Sequence, residues 1–260
     1  MSDDPVTPSP WRDWRAATPA RLALGRAGAG MPTDEVLRFG WAHAMARDAI
    51  HAALDTQALE AALRAQGWDT LQVRSRAEDR ATYLRRPDLG RQLHADDAAR
   101  LRSLAGAPKD VCIVIGDGLS SLAIARHAVP LLAALRAQWP GALSLTPAVI
   151  ASQARVALAD AVAEELGARL SVILIGERPG LSSPDSLGAY ITYAPRRGRH
   201  DAERNCISNV RPEGLGYEAA AFRLAWLVRE SLRRGLTGIG LKDESELAVL
   251  PAEGRRGPSL

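Results

Sequence analysis

Cysteine, lysine and phenylalanine are nearly missing from this 260-residue sequence, at two residues each. Cys112 and Cys206 make no CxxC pair and no disulfide framework, which points to a reducing, cytoplasmic setting. No uninterrupted apolar run approaches ~20 residues, so no membrane-crossing helix is expected. The opening MSDDPVTPSPWRDWR has no apolar stretch, so no signal peptide is expected either. His43, His51, His94, His127 and His200 are scattered, without an HExxH or other paired spacing, and imply no metal site. GxxxxGK[ST] and GxSxG are both absent, which excludes a phosphate-cradling P-loop and a hydrolase elbow.

Lysine is confined to Lys109 and Lys242, so the formal charge of +3 is carried by arginines interleaved with Asp and Glu. Interspersed charge of both signs describes a solvated surface. No basic stripe with stacking aromatics occurs, and no nucleic-acid partner is expected.

What is present is enough apolar residue, 47%, to bury a sizeable core. Residues 1–17 are Pro-rich and polar and are expected to be disordered, as is the tail 251–260. Residues 18–105 read as a small, mainly helical domain. It opens with TPARLALGRAGAGMP as a short, glycine-broken helix, followed by a longer helix capped by Thr33 and another capped by Asp55 and ended by Gly67. LQVRS (71–75) is a possible strand, and DRATYLRRPDLGRQL a loop or broken helix. From 106 to 250 the apolar runs VCIVIG, PAVIA, LSVILIG and AYITYA alternate with helical stretches such as SSLAIARHAVPLLAALRAQWP, RVALADAVAEELGA and YEAAAFRLAWLVRESLRRG. That alternation predicts a Rossmann-like, three-layer α/β domain with a mostly parallel sheet.

In such sheets ligands bind outside the carboxyl ends of the strands. Two polar strings fall there, Gly116-Asp117-Gly118 and Gly176-Glu177-Arg178-Pro179-Gly180, and they should share one edge. GDGLSS lacks the third glycine of a dinucleotide fingerprint and reads as a tight turn. Glu177 and Arg178 have two readings, a salt bridge at the strand tip or a ligand contact. Cys206, in ERNCISN, has no positioned base in the sequence and reads as structural on spacing alone.

Longer strings say more. RAATPARLALGRAGAGMPTDEVLRFGWAHAMARDAIHAALD, SRAEDRATYLRRPDLGRQL, IGDGLSSLAI, ILIGERPGLSSPDSLGAYITYAPR and ERNCISNVRPEGL together resemble, in the same order, the small (light) subunit of ethanolamine ammonia-lyase. The resemblance runs from about Thr18 to about Lys242. It implies an ammonia-lyase subunit active only with a separate, larger barrel subunit in a hetero-oligomer. The pair would hold adenosylcobalamin between them and convert ethanolamine to acetaldehyde and ammonia by radical chemistry. The family's substrate pocket lies in the large subunit, so no catalytic acid or base is expected here. The family's cofactor contacts carry over to Val156, Glu177 and Cys206, with one departure: the family's GRV reads Ala154-Arg155-Val156. No histidine stands in a DxHxxG motif, so the cofactor is expected base-on, with cobalt not ligated by this chain. Location would be cytoplasmic, free or inside a bacterial microcompartment. The alternative from another class is a non-catalytic nucleotide-binding or regulatory α/β module.

Overall fold

The computed structural model describes residues 5–139, 141 and 143–248. The segments 1–4 and 251–260, both expected to be disordered, lie outside the described residues, as does Pro140 at the end of an expected helix. The chain begins with β1 (Val6–Thr7), paired antiparallel with β2 (Arg26–Ala27). Then come α1 (Thr33–His51), α2 (Thr56–Ala65), β3 (Thr70–Arg74), α3 (Arg80–Arg85), α4 (Pro87–Gly90) and α5 (Ala95–Leu104). The second half runs β4 (Lys109–Gly116), α6 (Ser121–Gln138), β5 (Ala148–Ser152), α7 (Leu158–Glu165) and β6 (Ala168–Gly176). It closes with β7 (Leu187–Tyr193), β8 (Asn205–Val210) and α8 (Tyr217–Arg234).

Alternation along the strands decides the layers. In β4, Val111, Ile113 and Ile115 join a core with α2, α6 and α8 on one side of the sheet. Cys112 and Val114 join a second core with α5 and α7 on the other. The central strands β4, β5 and β6 are therefore apolar on both faces, and the result is the three-layer α/β fold expected. The sheet order is β3-β5-β4-β6-β7-β8. β3, β5, β4 and β6 are parallel, while β7 and β8 are antiparallel additions.

Several local expectations change. The strand Thr70–Arg74, read as part of a helical N-terminal unit, pairs in parallel with β5 and forms the edge of the one large sheet, across the expected boundary at 106. Regular structure occurs within residues 5–17, a segment expected to be disordered: β1 pairs with β2, and Arg12–Ala17 make a 3-10 helix. TPARLALGRAGAGMP contains β2 and turns, not a helix. Gly25 takes φ +76, and a Cβ there would meet the Thr7 carbonyl at 2.8 Å, so the hairpin needs glycine at that point. Pro32, extended at ψ 141, occupies the cap of α1, so Thr33 is its first helical residue and caps nothing. Asp55 does cap α2, accepting from the Ala58 N–H at 2.9 Å. ERNCISN, not among the expected strands, contributes the edge strand β8. A register shift against β7 interrupts its alternation and leaves mainly Ile207 and Val210 buried, which hid it from a period-two reading. No described helix is long and apolar enough to cross a membrane.

One buried ion pair ties α7 to the β7–β8 end. Asp160, 1% exposed, accepts from both terminal nitrogens of Arg204 at 2.7 Å. Arg204 also donates to Thr192 Oγ1 at 2.8 Å and to the Arg199 carbonyl at 3.0 Å. Removing one partner of such a pair leaves a bare charge in the core. Asp160→Asn is expected to lower the unfolding free energy by about 3–5 kcal/mol, measured by urea denaturation; a loss under ~1 kcal/mol would show that the pair does not tie these elements.

Candidate functional site

The tips of β4 and β6 meet backbone to backbone. Gly118 has φ +60, and a Cβ there would lie 2.2 Å from the Gly176 carbonyl oxygen; on Gly176 it would lie 2.0 Å from that of Ser120. The Leu119 N–H donates to the Gly176 carbonyl at 2.9 Å. The two glycine-flanked strings do share one edge, where the backbone of Gly176 packs against the Gly-Asp-Gly turn. Asp117 points inward. Its carboxylate accepts from the N–H groups of Gly118, Gln153 and Ala154, each at 2.9 Å. Burial pushes this carboxyl above its ordinary range, against the pull of those donors and of Arg80 at 3.7 Å. Arg80 in turn donates to the carbonyls of Ile50 and Gly118, both at 2.7 Å.

Above this floor opens a cleft of about 210 Å³, bounded by Tyr83, Arg155, Val156, Ile175, Glu177 and Tyr190 among others. Tyr83 stands between two guanidinium groups, Arg155 at 4.3 Å and Arg80 at 4.8 Å from its ring, and donates its hydroxyl to the Ala154 carbonyl at 3.0 Å. Burial raises its phenol pKa. Ala154, the residue departing from the family's glycine, is fully buried. Its methyl lies against Gly116, where a Cβ would approach it to 2.9 Å, so the extra carbon is accommodated opposite a residue that has none.

Glu177 follows the last residue of β6, and its backbone N–H donates to the Ser186 carbonyl at 2.9 Å. Its Oε2 accepts from the Ser186 hydroxyl and, at 3.2 Å, from the Asn209 N–H. Oε1 has no hydrogen-bond partner among the described residues. Arg178 is exposed and makes no ion pair or hydrogen bond among them, so Glu177 and Arg178 are not a salt bridge. Beneath the same loop, Asp185 takes Arg126 at 2.8 Å and His127 Nε2 at 3.3 Å, while His127 Nδ1 meets the Tyr217 hydroxyl at 2.8 Å. Burial alone would raise the Asp185 carboxyl, but Arg126 and His127 outweigh it and hold it below the usual range.

The three residues singled out in the sequence are thus partly assembled. Val156 and Glu177 line one cleft. Cys206 lies outside its lining, on β8, and reaches it through its cross-strand neighbour Tyr190, with which its thiol is hydrogen-bonded. Burial and the Glu177 carboxylate raise the thiol pKa, while Tyr190 opposes the rise. Tyr83 and Tyr190 line the cleft without having been picked out from the sequence, Arg155 was named only within Ala154-Arg155-Val156, and Asp117, named within the Gly-Asp-Gly string, lies beneath the cleft. Tyr83 and Tyr190 sit in strings with no chemical signature; the packing of α3 brings Tyr83 to the cleft and the pairing of β7 with β6 brings Tyr190. Among the described residues no three His, Cys, Asp or Glu side chains are placed to hold a metal ion.

The fold and the cleft define a three-layer α/β protein with an open cleft at the carboxyl edge of a mostly parallel sheet. The chain belongs to the ethanolamine ammonia-lyase light chain (EutC) family, which it matches over residues 8–242. It is 56% identical over 259 residues to the ethanolamine ammonia-lyase small subunit of Azotobacter vinelandii, covering 98% of this chain and 96% of that protein. The corresponding proteins of Ralstonia nicotianae and Pseudomonas fluorescens are 56% and 53% identical, over 96% and 94% of this chain and 94% and 91% of theirs.

The thiols provide a test of this geometry. Cys206 is exposed, whereas Cys112 is fully buried and its thiol is pushed up to about 12 by burial. Iodoacetamide should label one thiol per native chain, Cys206. Labelling should be slower than for free cysteine near pH 7.5, accelerate as pH rises, and be slower still in Tyr190→Phe, which loses the hydrogen bond to the thiolate. Cys112 should label only on unfolding; native labelling of Cys112 would contradict the fold.

Proposed function

We propose that this chain is the small subunit of an adenosylcobalamin-dependent ethanolamine ammonia-lyase. With a separate, larger barrel subunit it would convert ethanolamine to acetaldehyde and ammonia, and it would contribute one wall of the cofactor site. The observation that carries this reading is Glu177: a carboxylate anchored through one oxygen and unpartnered at the other, at the rim of an open cleft beside Val156.

The donor set suits a corrin. Its rim is apolar with outward amide side chains, and the cleft offers Val156 and Ile175 for packing and a free carboxylate oxygen for amide N–H groups. Cys206, exposed beside Tyr190, would fit beneath the ring's margin. When bound, the cofactor would supply the radical chemistry. This chain's residues bind and orient. Glu177 would hold cofactor amides, Val156 would pack on the corrin edge, and no residue of this chain is assigned as catalytic acid or base. No His here follows the DxHxxG pattern, so the cofactor's own base would remain on cobalt. At about 210 Å³ the cleft is smaller than the ~300–1,000 Å³ of pockets that enclose a small ligand. The large subunit would therefore close it and exclude water. Such a complex would reside in the cytoplasm, free or within a bacterial microcompartment.

The purified chain alone is expected to show no ethanolamine turnover, and addition of the large subunit to restore it. Titrated into the complex, adenosylcobalamin should bind Glu177→Gln about tenfold more weakly than wild type, the loss of ~1.4 kcal/mol from a charged acceptor, and Glu177→Ala more weakly again. The melting temperature of cofactor-free Glu177→Gln should change little, because its amide oxygen can still accept from Ser186 and Asn209, whereas Glu177→Ala loses both bonds and should melt lower. Wild-type cofactor affinity in both variants would remove the ligand role, and turnover by the single chain would remove the dependence on a partner.

A further inference from the structure

Nine large hydrophobic side chains are exposed among the described residues, and seven of them fall between residues 11 and 41. Trp11, Trp14 and Trp41 are 62%, 64% and 71% exposed, and Leu37 is 67% exposed. Such crowding into one short stretch is unlike the scattered apolar residues of an ordinary surface. α1 is the centre of it. Only Glu35, Ala46 and Ala49 of its 19 residues are buried. Leu37 and Trp41, one turn apart, and Val36 and Phe39 face outward. A helix normally draws most of its stability from an apolar face laid on the core, and this one turns its apolar residues away.

The arm before α1 is built rather than loose. Trp11 and Trp14 pack edge to face at 5.8 Å. Arg15 clamps their 3-10 helix to α1 through the buried Glu35 at 2.6 Å, and Arg38 shares that carboxylate at 3.1 Å. The unit is also tied to the cleft at both ends. Arg21 donates to the Ser182 hydroxyl at 3.3 Å and to the Leu181 carbonyl at 3.1 Å, in the loop that follows Glu177. At the other end the carbonyl of Ile50 receives Arg80, the residue that also braces Asp117 and Gly118 beneath the cleft.

We infer that the N-terminal arm and α1 (residues 11–41) form a docking surface for the large subunit, continuous with the cleft rim. The inference rests on the small-subunit reading above. A buried aromatic side chain covers ~150–250 Å², so with these exposures the seven side chains present on the order of 700–900 Å² of surface. That total is of the order of the ~800 Å² per partner of a standard interface. Its composition, Trp, Phe, Met and Leu interleaved with Arg, is that of interface anchors. A second copy of this chain on the arm would leave the cleft open, whereas a body that closes the cleft meets the arm by continuation.

The test measures assembly of the full chain with the large subunit by sedimentation, for wild type, Leu37→Ser/Trp41→Ser and Trp11→Ser/Trp14→Ser. These positions are exposed, so the melting temperature and circular dichroism of the free chain should be unchanged. Each double variant should weaken assembly by roughly 30-fold or more. At saturating large subunit, adenosylcobalamin affinity should return to that of wild type. Wild-type assembly by both variants would overturn the inference while leaving the small-subunit reading intact. So would loss of a wild-type homodimer with large-subunit affinity unchanged, which would assign the surface to a second copy. Failure of wild type itself to bind the large subunit would overturn both. Weakened assembly in the arm variants together with unaltered cofactor binding in Glu177→Ala would sustain the docking surface and remove only the cofactor contact.

Discussion

The buried carboxylate of Asp117 holds the carboxyl edge of the sheet together. A charge in that position is costly unless its oxygens are filled, and here they are filled by backbone: its own turn through Gly118, and the tip of the neighbouring strand β5 through Gln153 and Ala154. One side chain thereby sets the separation and orientation of two strand ends, including the residue just before Arg155 and Val156. Arg80 completes the arrangement, facing the same carboxylate while gripping the carbonyls of Gly118 and Ile50. Through it, α3 and the end of α1 are referred to the same point.

The cleft inherits its character from this frame. Its floor is two backbones in contact, Gly118 on Gly176, which no larger residue would permit. Its walls are stiff: Tyr83 is caught between two guanidinium groups and bonded to the Ala154 carbonyl, and Glu177 is pinned by Ser186 and Asn209. Ser186 is in turn placed by its neighbour Asp185, which is locked to Arg126 and His127. A carboxylate positioned in this way has little conformational freedom left to lose when it meets a ligand, which favours binding through its remaining oxygen. The same set of ties links the exposed arm to the cleft, through Arg21 to the loop after Glu177 and through Arg80 to the Ile50 carbonyl.

Much of this was legible beforehand where a local rule operates alone. VCIVIG and LSVILIG are apolar without alternation, which only a strand covered on both faces tolerates, and the three-layer sheet follows. Asp55 announced the start of α2 because capping needs only a short side chain and the next turn's N–H groups. The segments misread were those where a distant partner decides. TPARLALGRAGAGMP has helical residues, but Gly25 must pass close to the Thr7 carbonyl across the hairpin. NCISNV is an edge strand whose pairing with β7 slips out of register, so its burial does not alternate.

The sequence by itself determined the class of fold, the sheet edge at which its two polar strings meet, and, through long irregular strings such as GERPGL and ERNCISN, the family to which the chain belongs. It could do so because strand patterning and the position of strand ends depend on neighbours a few residues away. Only the tertiary structure decided that Asp117 faces inward to hold β5 rather than outward to a ligand, that Glu177 pairs with Ser186 and Asn209 rather than Arg178, and that Cys206 stands behind Tyr190 instead of in the cleft. Each of those choices is a competition among hydrogen-bond partners 9 to 37 residues apart or more, or a strand register set across the sheet, and such competitions are settled by distances that exist only once the chain has folded.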